Sequence, residues 1–305
     1  MNHRTRSNAI GVAFVTLCVI ATSIIVAMLA VILGQIVWNG APNVSLQFLT
    51  SAPSDGMRGG GIFPAIFGTF ALVVLMTLAV VPMGVMTAIY LVEYSKPGSR
   101  FAKMVNLAVN NLAGVPSIVF GLFGLGFFVH FLGAGIDDVV FGGRLVFGQP
   151  AILWAALTLA LLTLPVVIVT TSEALRAVPV NAREASLALG ATRWQTVWKV
   201  VLPQCTAGVL TGAILAVSRG AGEVAPIMFT GAAYFLPTLP TQLNDQFMEL
   251  GYHIYVMSTQ SPNVEETKPI LFATVFVLLA LTFALNATAI GIRSRFRQSI
   301  RPSDA

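Results

Sequence analysis

Charged residues are scarce in this sequence. They make up 10% of its 305 residues, whereas a soluble globular protein carries roughly 25%. Hydrophobic residues make up 56%, and the mean hydropathy is +0.84. So little polar surface cannot cover a water-soluble protein of this size. The composition therefore excludes a soluble globular protein and predicts an integral membrane protein.

Motifs for nucleotide, metal and nucleophilic chemistry are also missing. The chain has no Gly-x-x-x-x-Gly-Lys-Ser/Thr loop, no His-Glu-x-x-His and no Gly-x-Ser-x-Gly. The histidines His3, His130 and His253 are scattered, and we expect them at the surface or at an interface. Cys18 and Cys205 imply no disulfide framework and are expected to be packing residues. We predict no catalytic site, no metal and no cofactor on this chain.

Six long apolar stretches are present instead. A membrane-spanning helix needs roughly 20 mostly apolar residues, because the hydrocarbon layer is about 30 Å thick and each helical residue rises about 1.5 Å. The first stretch is too long for the apolar region of a signal peptide, so we interpret it as a retained anchor. The sequence therefore predicts an all-α protein with six transmembrane helices, at approximately Ile10–Trp38, Ile62–Val92, Met104–Leu132, Ala151–Thr171, Thr206–Ala233 and Pro269–Ile292.

Lysine and arginine are distributed unequally between the two sides of this arrangement. The termini and the loops after the second and fourth spans hold thirteen of the seventeen, the opposite side holds three, and Arg219 lies inside the fifth span. Because basic residues accumulate on the cytoplasmic side of membrane proteins, both termini are predicted to be cytoplasmic. This topology accounts for the net charge of +5 without a nucleic-acid-binding face, and we predict no nucleic acid partner.

The external loops are acidic under this topology, with seven Asp or Glu against three basic residues. Such a face does not attract a free anion, so an anionic substrate would need delivery by another component. Two external segments, 39–61 and 235–268, are long enough to fold against a partner, and solvated connectors are an equal alternative.

The longest cytoplasmic segment, 172–205, has a helical pattern. Ala, Leu and Glu favour a first helix, and Gly190 can adopt the left-handed conformation that ends it. Thr192 can cap a second helix, which Leu202-Pro203 is expected to terminate. The predicted element is a helix, a glycine turn and a second helix at the membrane surface. It can dock a cytosolic partner, or it can be an amphipathic interfacial hairpin.

A charge pair lies within the fifth span. Arg219 and Glu223 are four residues apart on one helix face, and Arg219 is about 21 Å from Cys205 at the membrane boundary. An arginine at this depth costs at least about 2.5–3.5 kcal/mol, but its planar donors suit an oxyanion. The intervening Gly220 and Gly222 allow close approach. We predict that Arg219 and Glu223 line the substrate pathway; the alternative is a structural pair whose charges satisfy each other.

Proline and glycine interrupt several spans. Gly114 and Pro116 predict a kink in the third span, packed closely at small residues. Pro82 and Pro165 predict bends in the second and fourth spans that can serve as gating hinges. Pro226 is expected to loosen the fifth span.

The cytoplasmic segment carries a specific resemblance. Glu184-Ala185-Ser186, then Gly190 and Leu202-Pro203 at their spacing, resemble the EAA loop of ABC importer permeases, with Ser186 in place of a third small residue. The resemblance implies a coupling helix that docks into a cleft of an ATPase subunit. Glu184, Ala185, Ser186 and Gly190 would be its coupling residues.

Other segments resemble the PstA-type permease of the bacterial phosphate importer. They are Gly60–Ile62, Tyr90–Tyr94, Gly114–Leu122, Thr170–Leu175 and Arg219–Pro226, the last with Val224 in place of the family's threonine. The resemblance implies the type I ABC importer permease fold, with one transmembrane domain over 1–305. Its parts would be an N-terminal helix and external loop at 1–59, a five-helix core at 60–292 and a basic cytoplasmic tail at 293–305.

The same resemblance implies a set of partners in the bacterial cytoplasmic (inner) membrane. They are a PstC-like permease, a PstB-like ATPase dimer that binds ATP and Mg, a PstS-like phosphate-binding protein and the membrane lipid. The implied substrate is inorganic phosphate, moved by alternating access between the two permeases.

Other interpretations stay open on the residues alone. A permease for sulfate or molybdate would share the coupling loop and the intramembrane cation, and a PstC-like permease has a similar plan. A secondary transporter or channel would work without an ATPase, although the two halves show no convincing duplication. An intramembrane enzyme would lose turnover when a histidine or a buried carboxylate is changed.

Overall fold

The computed structural model describes residues 3–54, 59–96, 98–261 and 264–300, without the side chains of 3–10, 264 and 297–300. The described chain is helical apart from a two-stranded antiparallel hairpin, in which Pro53 of β1 (Pro53–Ser54) lies opposite Gly60 of β2 (Gly59–Gly60). The helices are α1 His3–Gly40, α2 Leu46–Thr50, α3 Phe63–Ile89, α4 Arg100–Leu112, α5 Ser117–Phe123, α6 Ala134–Val140, α7 Ile152–Ala177, α8 Val180–Ala188, α9 Arg193–Thr196, α10 Leu202–Gly220, α11 Ile227–Thr230, α12 Leu250–Thr259 and α13 Val264–Ile300.

Six helical segments of the described chain are long and apolar enough to cross a membrane, which confirms the predicted all-α membrane fold. Three π-helical stretches extend or join the α-helices: Tyr90–Tyr94 after α3, Gly124–Gly133 between α5 and α6, and Val197–Val201 between α9 and α10. The six segments are Gly11–Asn43, Phe63–Tyr94, Ser117–Val140, Ile152–Ala177, Arg193–Gly220 and Glu265–Phe296.

The third span differs from the prediction. Residues 104–112 belong to the separate helix α4, and the spanning helix begins after a break, at Ser117. Pro116 causes this break, because the residue before a proline is disfavoured in helical geometry and the proline itself has no N–H to donate. Gly114 lies within the break, so these two residues end one helix and start another instead of kinking a continuous one.

The fifth span also ends earlier than predicted. Its helix α10 stops at Gly220, and Pro226 is the cap that precedes the short helix α11. Pro226 therefore starts a new helix and does not loosen the fifth one. At the other end of the chain, α13 continues to Ile300, so residues 293–300 of the predicted tail are helical.

Helix α7 lies at the centre of the bundle. Of its most apolar window, 67% is buried, and it packs against α3 and α10. Small residues allow these approaches: Gly84 of α3 contacts Val167, and Gly212 of α10 contacts Thr170. Helix α1 packs against α13, and none of its apolar window is buried. The core is therefore formed by α3, α7 and α10.

The two ends of the bundle are distinguished below as the basic end, where α3 and α7 finish, and the opposite end, where they begin. At the opposite end the chain after α10 folds back onto the start of α7. The N–H of Ala151 donates to the Thr230 carbonyl and that of Ile152 to the Asp245 carbonyl, both at 2.9 Å. Phe247 and Leu250 are fully buried. This part of segment 235–268 therefore packs on its own bundle and is not a solvated connector.

Two titratable side chains are buried in this packed segment, outside the six spanning segments. Glu249 caps α12 by accepting hydrogen bonds from the N–H groups of Gly251 and Tyr252, at 2.8 and 2.6 Å. Burial raises the pKa of Glu249 to about 7 and lowers the pKa of His253 to about 4. His253 is 2% exposed, so the expectation that the histidines lie at a surface or an interface is wrong for this residue. Its place on α12, between α3 and α13, is set by tertiary packing.

We expect the stability of the fold to depend on the protonation of Glu249. Because its pKa is raised in the folded chain, the folded state holds a proton that the unfolded state has released, so this contribution is full below about pH 4.5 and is lost as the pH rises through about 7. The Glu249→Gln variant keeps an oxygen acceptor for the helix cap and should lose this contribution, about 3 kcal/mol at most. The dependence that remains has the opposite sign, because the lowered pKa of His253 makes the fold more stable at pH 8 than at pH 5. Thermal unfolding of the purified protein in detergent at pH 5 and pH 8 measures it.

The matched control is Glu265→Gln, because the Glu265 side chain is 82% exposed. It should keep the wild-type difference between the two pH values. An unchanged pH dependence in the Glu249→Gln variant would contradict the assignment.

Candidate translocation and docking sites

Helix α10 ends at the predicted charge pair. Arg219 lies in its last turn, where the carbonyl groups of a helix end favour a cation. The chain continues in turns, with the N–H of Gly222 donating to the Arg219 carbonyl at 3.3 Å and that of Glu223 to the Gly220 carbonyl at 3.4 Å. Glu223 thus lies just beyond the helix, and the pair sits at a break in the span and not within a continuous helix.

The neighbouring glycine shows how deep Arg219 lies. A Cβ atom on Gly220 would overlap the sulfur of Met76, which is the fourteenth residue of the 27-residue helix α3. Gly220 therefore contacts the middle of a spanning helix. Arg219 therefore lies beside the middle of α3.

The two charged side chains pair but stay accessible. Nε of Arg219 lies 3.3 Å from Oε1 of Glu223, and the two side chains are 41% and 21% exposed. One contact of this kind leaves the remaining guanidinium N–H groups available, since an arginine carries five donors. Gly222 has no neighbour within 4 Å of an added Cβ. The arrangement can bind an oxyanion from the open side of α10.

A polar contact beside Arg219 was not found from the sequence. Ser218 donates a hydrogen bond of 2.6 Å to Oδ1 of Asn286 on α13. About two helical turns nearer the basic end, Nη1 of Arg293 donates a hydrogen bond of 3.1 Å to Oγ1 of Thr211. Thr211 and Ser218 are seven residues apart on α10, as are Asn286 and Arg293 on α13, so both contacts lie along one seam. The feature of the sequence that could have indicated this contact is Asn286, an amide side chain inside an apolar span.

The two prolines predicted to act as hinges lie at the same level of neighbouring helices. Pro82 is inside α3 and Pro165 inside α7. Gly84 contacts Val167, and these two residues each follow a proline by two positions. Each proline leaves one carbonyl of its helix without the usual N–H partner. The core therefore contains two adjacent weakened turns, whose role in gating stays a prediction.

The structure confirms the predicted local structure of segment 172–205, a helix, a glycine turn and a second helix. Gly190 has a φ of +84°, and the N–H groups of Gly190 and Ala191 donate to the carbonyls of Leu187 and Ser186, which is the Schellman arrangement of a helix end. Thr192 caps α9, and a reciprocal bond with Gln195 completes a capping box. We refer to α8, the turn 189–192 and α9 as the α8–α9 hairpin.

The predicted end of the second helix is wrong. Helix α9 continues through the π-helical stretch Val197–Val201 into α10, whose second residue is Pro203. The N–H of Leu202 donates to the carbonyl of Val197, five residues back. This wider turn accommodates the proline ring, which clashes with the carbonyl four residues back in a regular α-helix. The hairpin is therefore continuous with the fifth span.

The outer surface of the α8–α9 hairpin is exposed. Glu184 and Ala185 are exposed, Ser186 faces α9 through a 3.0 Å contact with the hydroxyl of Thr196, and Leu189 is 90% exposed. Leu187 and Trp194 of the same hairpin are also exposed, and grouped exposed apolar residues are typical of an interaction surface. Among the described residues, no three His, Cys, Asp or Glu side chains are grouped closely enough to hold a metal ion.

Comparison with known proteins assigns this architecture to a family. Residues 80–301 match the family described as "Binding-protein-dependent transport system inner membrane component". The chain belongs to this family. It is therefore a multi-pass inner membrane permease subunit of an ABC importer, a transport component that works with an ATPase and a substrate-binding protein.

Two relatives extend along most of the permease. "Probable ABC transporter permease protein YqgI" of Bacillus subtilis (strain 168) is 32% identical over 285 residues, which cover 89% of this chain and 92% of that protein. "Phosphate transport system permease protein PstA" of Haemophilus influenzae is 35% identical over 229 residues, 73% of each chain. These likenesses confirm the resemblance to PstA-type permeases.

A solved structure confirms the fold. The permease resembles a chain of "Crystal structure of bacterial alginate ABC transporter in complex with alginate pentasaccharide-bound periplasmic protein", with a TM-score of 0.66, 14% identity, and coverage of 94% of this chain and 96% of that chain. At this identity the likeness concerns the type I permease architecture alone.

Proposed function

We propose that this permease is the PstA-like transmembrane subunit of an ATP-driven importer of inorganic phosphate. The observation that carries the proposal is Arg219, an accessible arginine at mid-depth beside Glu223. The name of the Haemophilus influenzae relative, a phosphate transport system permease protein, supports phosphate over other oxyanions.

The charge pair suits a partly protonated oxyanion. Arg219 would donate to the phosphate oxygens, and charge-assisted hydrogen bonds of this kind are stronger than neutral ones. Glu223 would accept a hydrogen bond from a protonated phosphate oxygen, whereas its charge repels an anion that has no proton to donate. The cost of placing an arginine at this depth, at least about 2.5–3.5 kcal/mol, is offset by the pair and, during transport, by the anion.

The proposed assembly follows from the same resemblance. A PstC-like permease would lie beside this chain and cover the open side of α10, a PstB-like ATPase dimer would bind ATP and Mg at the basic end, and a PstS-like protein would deliver phosphate to the opposite end. Alternating access would then expose Arg219 to each side in turn, with bends at Pro82 and Pro165. The α8–α9 hairpin would be the coupling element, with Glu184, Ala185, Ser186 and Gly190 at the ATPase.

This assembly requires the basic end to face the cytoplasm. In a chain whose two cysteines are replaced by alanine, a cysteine at Val139, which is 86% exposed at the opposite end, should react with a membrane-impermeant maleimide in spheroplasts. The matched variant Lys103→Cys, exposed at the basic end, should react only after the membrane is permeabilised. The reverse pattern would contradict the orientation.

We expect Arg219→Ala to abolish phosphate import while the complex still assembles. Each charge-assisted hydrogen bond lost to the anion is worth roughly 1.5–3 kcal/mol, or about tenfold or more in binding. Uptake of labelled phosphate into proteoliposomes that contain the whole complex and ATP measures the effect. Arg144→Ala, at an exposed arginine of the opposite end, is the control and should transport normally.

The double variant Arg219→Met/Glu223→Leu separates the pathway role from the structural alternative. If the two charges only satisfy each other, removing both together restores transport. Normal uptake by this variant or by Arg219→Ala would remove Arg219 from the pathway.

We expect Glu184→Lys to release or uncouple the ATPase subunit, because it reverses a charge on the exposed face of the hairpin. Copurification of the ATPase with the tagged permease, and phosphate uptake, are the two measurements. Glu173→Lys, at an exposed position of α7 near the same end, makes the same charge change outside the hairpin and should keep both. Full copurification together with full uptake in the Glu184→Lys variant would exclude the coupling role.

A further inference from the structure

We propose that Arg183 is the residue through which movement of the α8–α9 hairpin reaches the spanning helices α3 and α7. The proposal rests on the docking role of the hairpin proposed above. It assigns a positioning function to an ion pair between Arg183 and Glu93, two residues that lie 90 positions apart in the sequence.

One guanidinium group joins three elements. Nη2 of Arg183 lies 2.7 Å from Oε1 of Glu93, and Nε lies 3.1 and 3.3 Å from the two carboxylate oxygens. Nη2 also donates to the Leu175 carbonyl at 2.7 Å, and Nη1 donates to the Val178 carbonyl. Arg183 belongs to α8, Glu93 to the π-helical end of the second span, and the two carbonyls to the end of α7. We refer to these contacts as the Arg183 clasp.

The clasp is largely shielded from water. The side chains of Arg183 and Glu93 are 17% and 12% exposed, so their attraction is screened far less than that of a surface pair. The two carbonyls lie at the end of α7, where Leu175 also accepts the N–H of Val178 at 3.3 Å and the regular helical ladder stops. The guanidinium group bonds to a carboxylate and two carbonyls at once. Its position is therefore fixed by the directions of these hydrogen bonds as well as by charge.

The helical backbone is interrupted between α7 and α8. Helix α8 follows α7 through Val178 and Pro179, which have extended geometry with ψ angles of 129° and 138°. Pro179 fixes its own φ and restricts Val178, but the helical hydrogen-bond ladder does not continue through this connection, so the guanidinium contacts add a side-chain link between α8 and the end of α7. A push on the hairpin therefore reaches α7 and α3 as a directed movement when Arg183 holds α8 to both of them.

The other side of the hairpin is anchored by different contacts. Ser186 of α8 contacts Thr196 at 3.0 Å, and α9 continues through the π-helical stretch into α10. The ends of α3, α7 and this continuous segment also share one apolar cluster. It comprises Ala88, Ile89, Leu175, Val178, Val197, Val201 and Cys205. The clasp thus connects α8 to the two helices that carry Pro82 and Pro165. The other half of the hairpin, α9, continues through α10 to Arg219.

The test compares assembly with coupling in the whole complex. The variants Arg183→Gln and Glu93→Gln should still copurify with the ATPase subunit, but transport, and the stimulation of ATP hydrolysis by the loaded binding protein, should each fall at least tenfold. Arg183→Lys keeps the charge opposite Glu93 but cannot serve both carbonyls, so it should lie between Gln and wild type. Lys96→Gln removes an exposed cation three residues from Glu93 and outside the hairpin, and it should behave as wild type.

A reversible cross-link distinguishes a mechanical link from a folding defect. In a chain without Cys18 and Cys205, Arg183→Cys/Glu93→Cys is joined with a bifunctional thiosulfonate whose spacer replaces the two side chains. We expect the spacer to restore coupling, reduction to abolish it again, and a monofunctional thiosulfonate to have no effect.

Wild-type coupling in the Gln variants, or a cross-linked protein that stays uncoupled, would overturn the role of the clasp. A loss of transport that tracks the amount of assembled complex would overturn it as well. These outcomes differ from the one that would contradict the docking proposal. That outcome is full copurification and full uptake in the Glu184→Lys variant.

Discussion

The structure depends on one constraint: a polar group inside the hydrocarbon layer must find a partner within the protein. Helix α10 ends near mid-depth, which leaves carbonyl groups and a charged side chain at a level where lipid chains offer no hydrogen-bond partner. The chain meets the constraint by placing Arg219 at the carbonyl end of the helix, by pairing it with Glu223, and by turning back through hydrogen-bonded turns toward the start of α7. The same break leaves a cation accessible at a depth where the proposed phosphate substrate would need one.

The prolines and the Arg183 clasp lie on the helices that surround this break. The prolines of α3 and α7 lie at one level between Arg219 and the basic end, and the Arg183 clasp holds the ends of these two helices to α8. Helix α10 continues without interruption into α9. In the proposed mechanism, movement at the α8–α9 hairpin would have two routes into the bundle, one through a continuous helix and one through a buried ion pair. The proposed ATP-driven importer would need such connections.

Much of this arrangement could be predicted from the sequence where the signal is local. Apolar runs predict the six spans, Gly190 and Thr192 predict the hairpin, and the spacing of Arg219 and Glu223 predicts their pairing. The errors arise where hydrogen bonding or packing overrides local pattern. Pro116 breaks a helix, whereas Pro203 is accommodated by a wider π turn, and both are prolines in apolar surroundings. The burial of His253 and the pairing of Arg183 with Glu93 depend on residues far apart in the chain, so no periodicity reports them.

The central claim, that this permease imports phosphate, is tested most directly by uptake of labelled phosphate at low external concentration in cells with and without the chain. Excess unlabelled phosphate, sulfate or molybdate serves as the competitor. The account predicts that uptake requires the chain and that phosphate alone competes. Uptake that is unchanged without the chain, or that sulfate or molybdate suppresses as well as phosphate does, would contradict it and would assign the permease a different cargo.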